Sequence, residues 1–252
     1  LIRTAGRFRW PLAAALVALV TAVPALAIAA AVSLLGWWRR ALSADGAVAA
    51  TGIGLAILFF TGFGGLAVLG TFFVASTFVS RAASQVEPTS DQAQTECRDR
   101  WQVLSNGGAA AVGALAELLV EGLGLWLVTI GLAAAGSDTW STAFGRLSPR
   151  APRDLITRRP VAAGTSGGVT WFGTTGGLVG ATLIGLVGAT VSADWHLYFA
   201  ATGIGFGAMV TDSFLGSKWQ ARFLCPRCDV GTERRHHDCG TATRHTGGWS
   251  WL

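Results

Sequence analysis

What most limits the folds open to this chain is a set of long apolar windows with no polar side. Residues 11–35 and 169–191 contain no Asp, Glu, Lys or Arg. Their apolar residues neither alternate nor recur every 3.6 positions against a charged stripe, the two patterns that build a soluble strand or a soluble surface helix. Windows this uniform can face lipid on one side and other helices on the other. The whole chain agrees: 51% of its 252 residues are hydrophobic and 13% are charged, the profile of a polytopic membrane protein. The expected fold class is all-α, a polytopic integral membrane helical bundle.

Roughly seven spans are expected, over residues 11–35, 47–61, 65–80, 103–120, 122–136, 167–191 and 196–212. The second and third are short, about 15 residues against the usual ~20, and read either as tilted half-spans or as one element broken around Gly62, Gly64 and Gly65. The first window follows Arg3, Arg7 and Arg9 but is too long for a signal peptide, so it is read as a retained span. No Met begins the sequence, and trimming of the N-terminus is expected. The many glycines, including Gly173, Gly176, Gly177, Gly180, Gly185 and Gly188, are expected to serve close helix contact.

With this count the connections at 37–46, 81–102 and 144–165, and the tail from Lys218, share one side. Every Lys and Arg lies on that side except Arg3, Arg7 and Arg9. By the positive-inside rule it is cytoplasmic, in a bacterial or archaeal plasma membrane, and the net charge of +5 reflects topology and gives no reason to expect nucleic acid as a partner. Two parts are expected: a transmembrane helical domain over 1–223 with cytoplasmic loops, and a small cytoplasmic Cys/His tail over 224–252.

The polar clusters gather on that same side. Arg98 to Gly107 carries Asp99, Gln102 and Asn106; the two amides lie one helical turn apart, which suits a polar pocket as well as a capped helix end. Ser137 to Thr142 follows an apolar run and combines Asp138 with the hydroxyls of Thr139, Ser141 and Thr142. Gly164, Thr165, Ser166, Gly167 and Gly168 open an apolar run. They lack the Lys of a Walker loop, but a glycine-rich helix start can offer backbone N–H groups to an anion. Asp212, Ser213 and Lys218 end the last expected span. Asp138 and Asp212 reach matched depths, a plausible Mg2+ pair of hard oxygen ligands, and Lys218 could meet a phosphate. Each cluster also has a plain structural reading as helix cap, interfacial anchor or turn. Glu117 and Glu121 fall toward the opposite side and are expected to snorkel or cap.

The tail carries Cys225-Pro-Arg-Cys228 and, further on, His237-Asp-Cys239. Two cysteines separated by two residues, followed by a His and a third Cys, match the ligand types of a Cys3His zinc site; with four protein ligands such a site is structural. Cys97 stands apart as a free thiol.

The motifs RDRWQVLSNG (98–107), SDTWSTAFG (137–145), GTSGGVTWFGT (164–174) and DSFLGSKWQ (212–220), in this order, resemble the transmembrane protein 19 family, also called domain of unknown function 92. The resemblance covers nearly the whole chain. Its characterised plastid and cyanobacterial members are phytyl-phosphate kinases, and the family is similar to dolichol and phytol kinases, which take phosphate from CTP. The resemblance therefore implies a transferase of prenyl lipid (tocopherol-type) metabolism: an isoprenoid-monophosphate kinase using a nucleoside triphosphate, CTP favoured, and magnesium. Asp138 and Asp212 would hold Mg2+, with Asp99 as a third carboxylate. Arg98, Lys218 and the turn at Gly164, Thr165, Gly167 and Gly168 would bind phosphates. Gln102 and Asn106 would orient substrate or nucleotide, with Thr139, Ser141 and Ser213 beside them.

Two departures accompany the resemblance. The family pattern carries a Glu where this chain has Ala143, and it continues past the tail with a W-x-N-[ND]-x-V-N motif and a further span, so a final helix is expected beyond Leu252. The alternatives are a transporter or channel for a lipid phosphate or ion, and a nucleotidyltransferase acting on a lipid phosphate. A transporter would place its polar site near the midplane and show an internal repeat, whereas here the polar clusters crowd one face and no convincing repeat is found.

Overall fold

The computed structural model describes residues 24, 26–86, 97–237 and 239–249. The expected span over 11–35 lies partly outside these residues, as do Arg3, Arg7, Arg9 and the last three positions. The described chain is mostly helical: α1 (Leu26–Trp38), α2 (Ala44–Val86), α3 (Arg100–Ala114) with a 3-10 turn (Leu115–Leu118), α4 (Leu123–Arg146), α5 (Trp171–Ser192) and α6 (Trp195–Trp219). Among the described residues strands are confined to the loop between α4 and α5, where β1 (Arg153–Asp154) pairs with β2 (Gly168–Val169), and to the tail. There β3 (Arg222–Cys225), β4 (Val230–Thr232) and β5 (Arg244–Gly247) form an antiparallel sheet in the order β4-β3-β5.

The break between the second and third expected spans is Gly62. Its φ of 65° and ψ of −159° are not helical and belong to a region open mainly to glycine. The two arms of α2 fold back on each other there: Gly54 of the first faces Leu69 of the second. Arg81, near the end of the second arm, donates to the carbonyl of Arg39, just before the first arm starts. Phe59, Phe63, Val74 and Phe78 on these arms are exposed, as lipid-facing side chains would be. α2 and α5 are the described helices long and apolar enough to cross a membrane.

The fourth expected span is shorter than its apolar window. α3 stops at Ala114, and after the 3-10 turn Gly122 takes a left-handed conformation at φ 82°. Glu117 caps this corner, accepting from the N–H groups of Gly122 (2.7 Å) and Gly124 (2.9 Å). The capping role expected for this residue is thus the observed one.

The centre of the fold is α4, which packs on α2, α3, α5 and α6 through small residues. Gly180 of α5 faces the carbonyl of Gly136, Gly188 faces Thr129, and Gly205 of α6 faces the backbone of Ala133. A Cβ at these glycines would meet backbone or side chain closer than atoms pack, so glycine sets the interhelical distance. Ile57, Val68, Val128, Leu132, Ile184 and Leu197 fill the core around these contacts. The contacts also fix depth. α3 runs antiparallel to α4, with Gly113 against Leu127 and Ala110 against Gly131; seven residues on from that pair, about 10 Å by the helical rise, Val103 and Asp138 share a level. α6 runs parallel to α4, which carries Asp212 to nearly the same level.

Gly188→Ala is expected to lower stability by about 1–3 kcal/mol through overpacking against Thr129, whereas Gly203→Ala, with open space around its position, should be close to neutral. Thermal unfolding of the detergent-solubilised protein followed by tryptophan fluorescence compares the two.

Candidate functional site

All the polar clusters singled out from the sequence lie at one end of the bundle, where both ends of α2, the start of α3, the ends of α4 and α6 and the start of α5 meet. Two carboxylates mark its centre. Asp138 on α4 and Asp212 on α6 both keep solvent-accessible surface; the surrounding protein acts on the Asp138 carboxyl first and the charge of Asp212 second, so the two lie near enough to influence each other. Two like charges held together are relieved either by a proton on one carboxyl or by a cation between them. Thr142, one turn beyond Asp138, is exposed on the same side. The hydroxyls of Thr139 and Ser141 instead bond back to their own helix, at the carbonyls of Ala135 (2.8 Å) and Asp138 (2.9 Å).

Ala143 lies five residues from Asp138, about 140° around the helix, and is buried at 3% exposure. A Glu here, as the resemblance implies, would therefore not stand on the exposed face that carries Asp138. The donor set that remains, two exposed carboxylates and a hydroxyl, is hard oxygen and fits Mg2+ by ligand type.

Asp99 caps α3, its Oδ1 accepting from Gln102 N–H at 2.9 Å. This is the structural role weighed for that cluster, and it places Asp99 at a different helix end from the carboxylate pair. Arg98 is held by its backbone: its N–H donates to Ala41 O, and its carbonyl accepts from Ser43 N–H, both at 3.0 Å. Its guanidinium lies 5.9 Å from the rings of Phe72 and Phe73, a cation–π arrangement. Arg98, Asn106 and Ser33 are the polar members of a chamber between α1, α2 and α3, otherwise lined by residues such as Val32, Ile53, Leu69 and Phe72 and enclosing about 700 Å3 of empty space, its mouth included. Phe72 also faces Gly136 of α4, so the chamber adjoins the helix that carries Asp138.

The glycine-rich turn differs from its expectation. α5 starts at Trp171 and is capped by Thr170, whose hydroxyl accepts from Gly173 N–H at 2.9 Å; residues 164–168 precede the helix as a separate turn with Gly164 and Gly167 at positive φ. The amides of Thr165, Ser166 and Gly168 already have protein partners. Gly168 N–H donates to Thr165 O. Ser166 donates through both N–H (2.7 Å) and Oγ (2.8 Å) to the carboxylate of Glu233 in the tail. Gly167 rests on the backbone of Ser217, leaving no room for a side chain, which brings the turn against α6 a little over one helical turn from Asp212. Lys218 lies over the ring of Trp219, 5.0 Å from its centroid, and Ser213 is half-buried.

Asp154, in the Arg-rich loop, was not singled out from the sequence. It is 1% exposed and ties three elements together: it accepts from Ile156 and Thr157 N–H in its own turn, from Ser217 Oγ of α6 (2.7 Å) and from Arg222 of β3 (2.6 Å). Burial opposes its charged form, but hydrogen bonds from Thr157, Ser217 and Arg222 outweigh that and hold the carboxyl far below the usual aspartate range. The available signal was local: in Asp-Leu-Ile-Thr the carboxylate can take the N–H groups two and three residues on, an Asx-type turn.

The tail brings its expected ligands together. Atoms of Cys225, Cys228, His237 and Cys239 all lie within 4.8 Å of one another. Thr241 and His237 hold the Cys239 thiol down at about 5, while its hydrogen bond with Cys239 pushes Cys228 up to about 11.

Residues 27–252 match the family described as integral membrane protein DUF92. The chain belongs to this family. Among its relatives, an uncharacterized membrane protein of Methanocaldococcus jannaschii is 32% identical over 183 residues, 73% of this chain and 76% of that protein. Protein PGR of Arabidopsis thaliana is 31% identical over 182 residues, 64% of this chain and 62% of that protein. No solved structure matches. Membership makes this an integral membrane protein, so the exposed apolar faces of α2 and α5 are lipid-facing.

Replacing Asp154 by Asn should cost about 2–4 kcal/mol, since it removes the charge that Arg222 and Ser217 answer. Because the folded carboxyl titrates below the unfolded one, this stabilisation is complete above the ordinary aspartate pKa and fades as pH falls through the folded value. The gap in thermal midpoint between wild type and Asp154→Asn should therefore be largest near neutral pH and shrink below about pH 4.

Proposed function

We propose that this protein is a membrane-embedded isoprenoid-monophosphate kinase, transferring the terminal phosphoryl group of a nucleoside triphosphate, CTP favoured, to a prenyl phosphate such as phytyl phosphate. The observation that carries the reading is the pairing of Asp138 and Asp212 at the polar end of an integral membrane bundle. The family resemblance of the motifs around both residues supports it.

The chemistry asks little acid–base work of the protein. A phosphate monoester is already anionic near neutral pH; one of its oxygens attacks the γ-phosphorus, the new O–P bond forms, the bond to the β,γ-bridging oxygen breaks, and the nucleoside diphosphate leaves with that oxygen. What remains is alignment and charge neutralisation. Mg2+ held by Asp138 and Asp212 would neutralise charge on the triphosphate. Arg98 would meet the phosphate of the acceptor, with Asn106 beside it, while the prenyl chain lies against the apolar walls of the chamber between α1, α2 and α3. Such a chamber, apolar with few polar groups at one place, has the form of a site for an amphiphile. Lys218 would serve the nucleotide from the end of α6, and Gln102 the acceptor. The 164–168 turn is assigned a positioning role, because its Ser166 amide is engaged by Glu233. The crowding of basic loops at this end supports a cytoplasmic orientation, where nucleotides are available, and roughly seven spans remain the proposed count if each arm of α2 crosses.

Purified protein given a prenyl monophosphate, CTP and Mg2+ should yield the prenyl diphosphate and CDP by mass spectrometry. Asp138→Asn and Asp212→Asn should each lower turnover by about 100-fold or more with thermal midpoint retained. Release of pyrophosphate with a nucleotidylated lipid would instead establish the transferase alternative, and unchanged turnover in both variants would remove the carboxylate pair from the mechanism.

A further inference from the structure

We infer that the tail is a Cys3His zinc site whose role is to present Glu233 to Ser166, so that metal binding clamps the 164–168 turn onto the end of α6. The inference does not depend on which reaction the protein carries out.

The metal half rests on distances. In a tetrahedral thiolate site with Zn–S of about 2.3 Å, neighbouring ligand atoms stand about 3.8 Å apart, and a nitrogen ligand shortens that edge. Cys225 Sγ and Cys239 Sγ are 3.6 Å apart, and His237 Nδ1 lies 3.2 Å from Cys239 Sγ. The four ligand atoms come from two loops. Cys225 and Cys228 flank the turn between β3 and β4, closed by Asp229 N–H to Cys225 O at 2.9 Å. His237 and Cys239 flank a second turn, closed by Gly240 N–H to His237 O at 2.8 Å, with Gly240 left-handed. Two loops that point their ligands at one place are the arrangement of a zinc ribbon. The sheet between them has strands of 4, 3 and 4 residues, and β4 and β5 are largely exposed. A sheet this small with so little apolar cover needs a cross-link, and a structural metal supplies folding free energy of that kind.

The clamp half rests on where Glu233 sits. It follows β4 directly, between the two ligand pairs, so its position is set by the fold of the metal loop. From there it receives both N–H and Oγ of Ser166. The next residue, Gly167, is pressed on Ser217 of α6, and Ser217 donates to Asp154. Loss of the metal would free the strand that carries Glu233 and with it the outer support of the turn.

The test uses the whole detergent-purified protein. Elemental analysis should find one zinc per chain in wild type and none in Cys225→Ser/Cys228→Ser, and exchange for Co2+ in wild type should give the ligand-field and thiolate charge-transfer bands of a tetrahedral site. Hydrogen exchange over residues 164–168 should then rise about tenfold both on zinc removal by a chelator and in Glu233→Ala, which keeps its metal. Sub-stoichiometric zinc together with no tetrahedral cobalt spectrum would overturn the site. Stoichiometric zinc whose removal, like Glu233→Ala, leaves exchange at the turn unchanged would overturn the clamp.

Discussion

The structure depends on how closely α4 approaches its neighbours. In lipid there is little hydrophobic force between helices, and association comes from packing and from the polar groups that near contact brings together. Here glycine permits that contact at several levels: Gly180 on the Gly136 carbonyl, Gly188 on Thr129, and Gly205 on Ala133. Because these contacts lock α5 and α6 to α4 in depth as well as in distance, they decide which side chains share a level at the polar end. The shared level of Asp138 and Asp212 is a consequence of backbone packing a few turns deeper in the bundle.

Outside the helices, one carboxylate does for the loops what glycine does for the bundle. Asp154 gathers its own turn, the end of α6 and the first strand of the tail around a single buried charge. Glu233 reaches back from the tail to the turn before α5. The Arg-rich loop and the Cys/His tail are therefore tied to the rest of the fold by acids that accept from other segments, and the Asp138–Asp212 pair, for which no such donor is seen among the described residues, stands out by contrast. A buried carboxylate with a full set of donors is structural. A pair of exposed ones within reach of each other invites a cation.

The helical, membrane-embedded character of the chain was legible in its uncharged windows, and so was the break in α2, since Gly62, Gly64 and Gly65 mark a place where a helix can stop. Depth was legible too: counting residues along the apolar runs puts Asp138 and Asp212 together, and the tail ligands are recognisable by spacing alone. What the sequence hid was partnership between distant segments. Nothing in Asp-Leu-Ile-Thr announces Ser217 and Arg222, and a glycine-rich turn before an apolar run looks like an open anion cradle until the carboxylate of Glu233 is found on its Ser166 amide. Asp99 shows a role the sequence left open: besides the look of a third acid, it caps the helix it precedes. Ala143, where the resemblance implies a Glu, also reads differently in three dimensions, because its position packs inward while Asp138 is on the accessible side.

The proposed kinase requires Asp138 and Asp212 together to hold a divalent cation. Electron paramagnetic resonance of Mn2+ titrated into the protein with CTP present tests this without relying on turnover. One bound Mn2+ per chain is expected in wild type and its loss in Asp138→Asn/Asp212→Asn, with Asp99→Asn binding as wild type does. Mn2+ bound equally well by the double variant would contradict it.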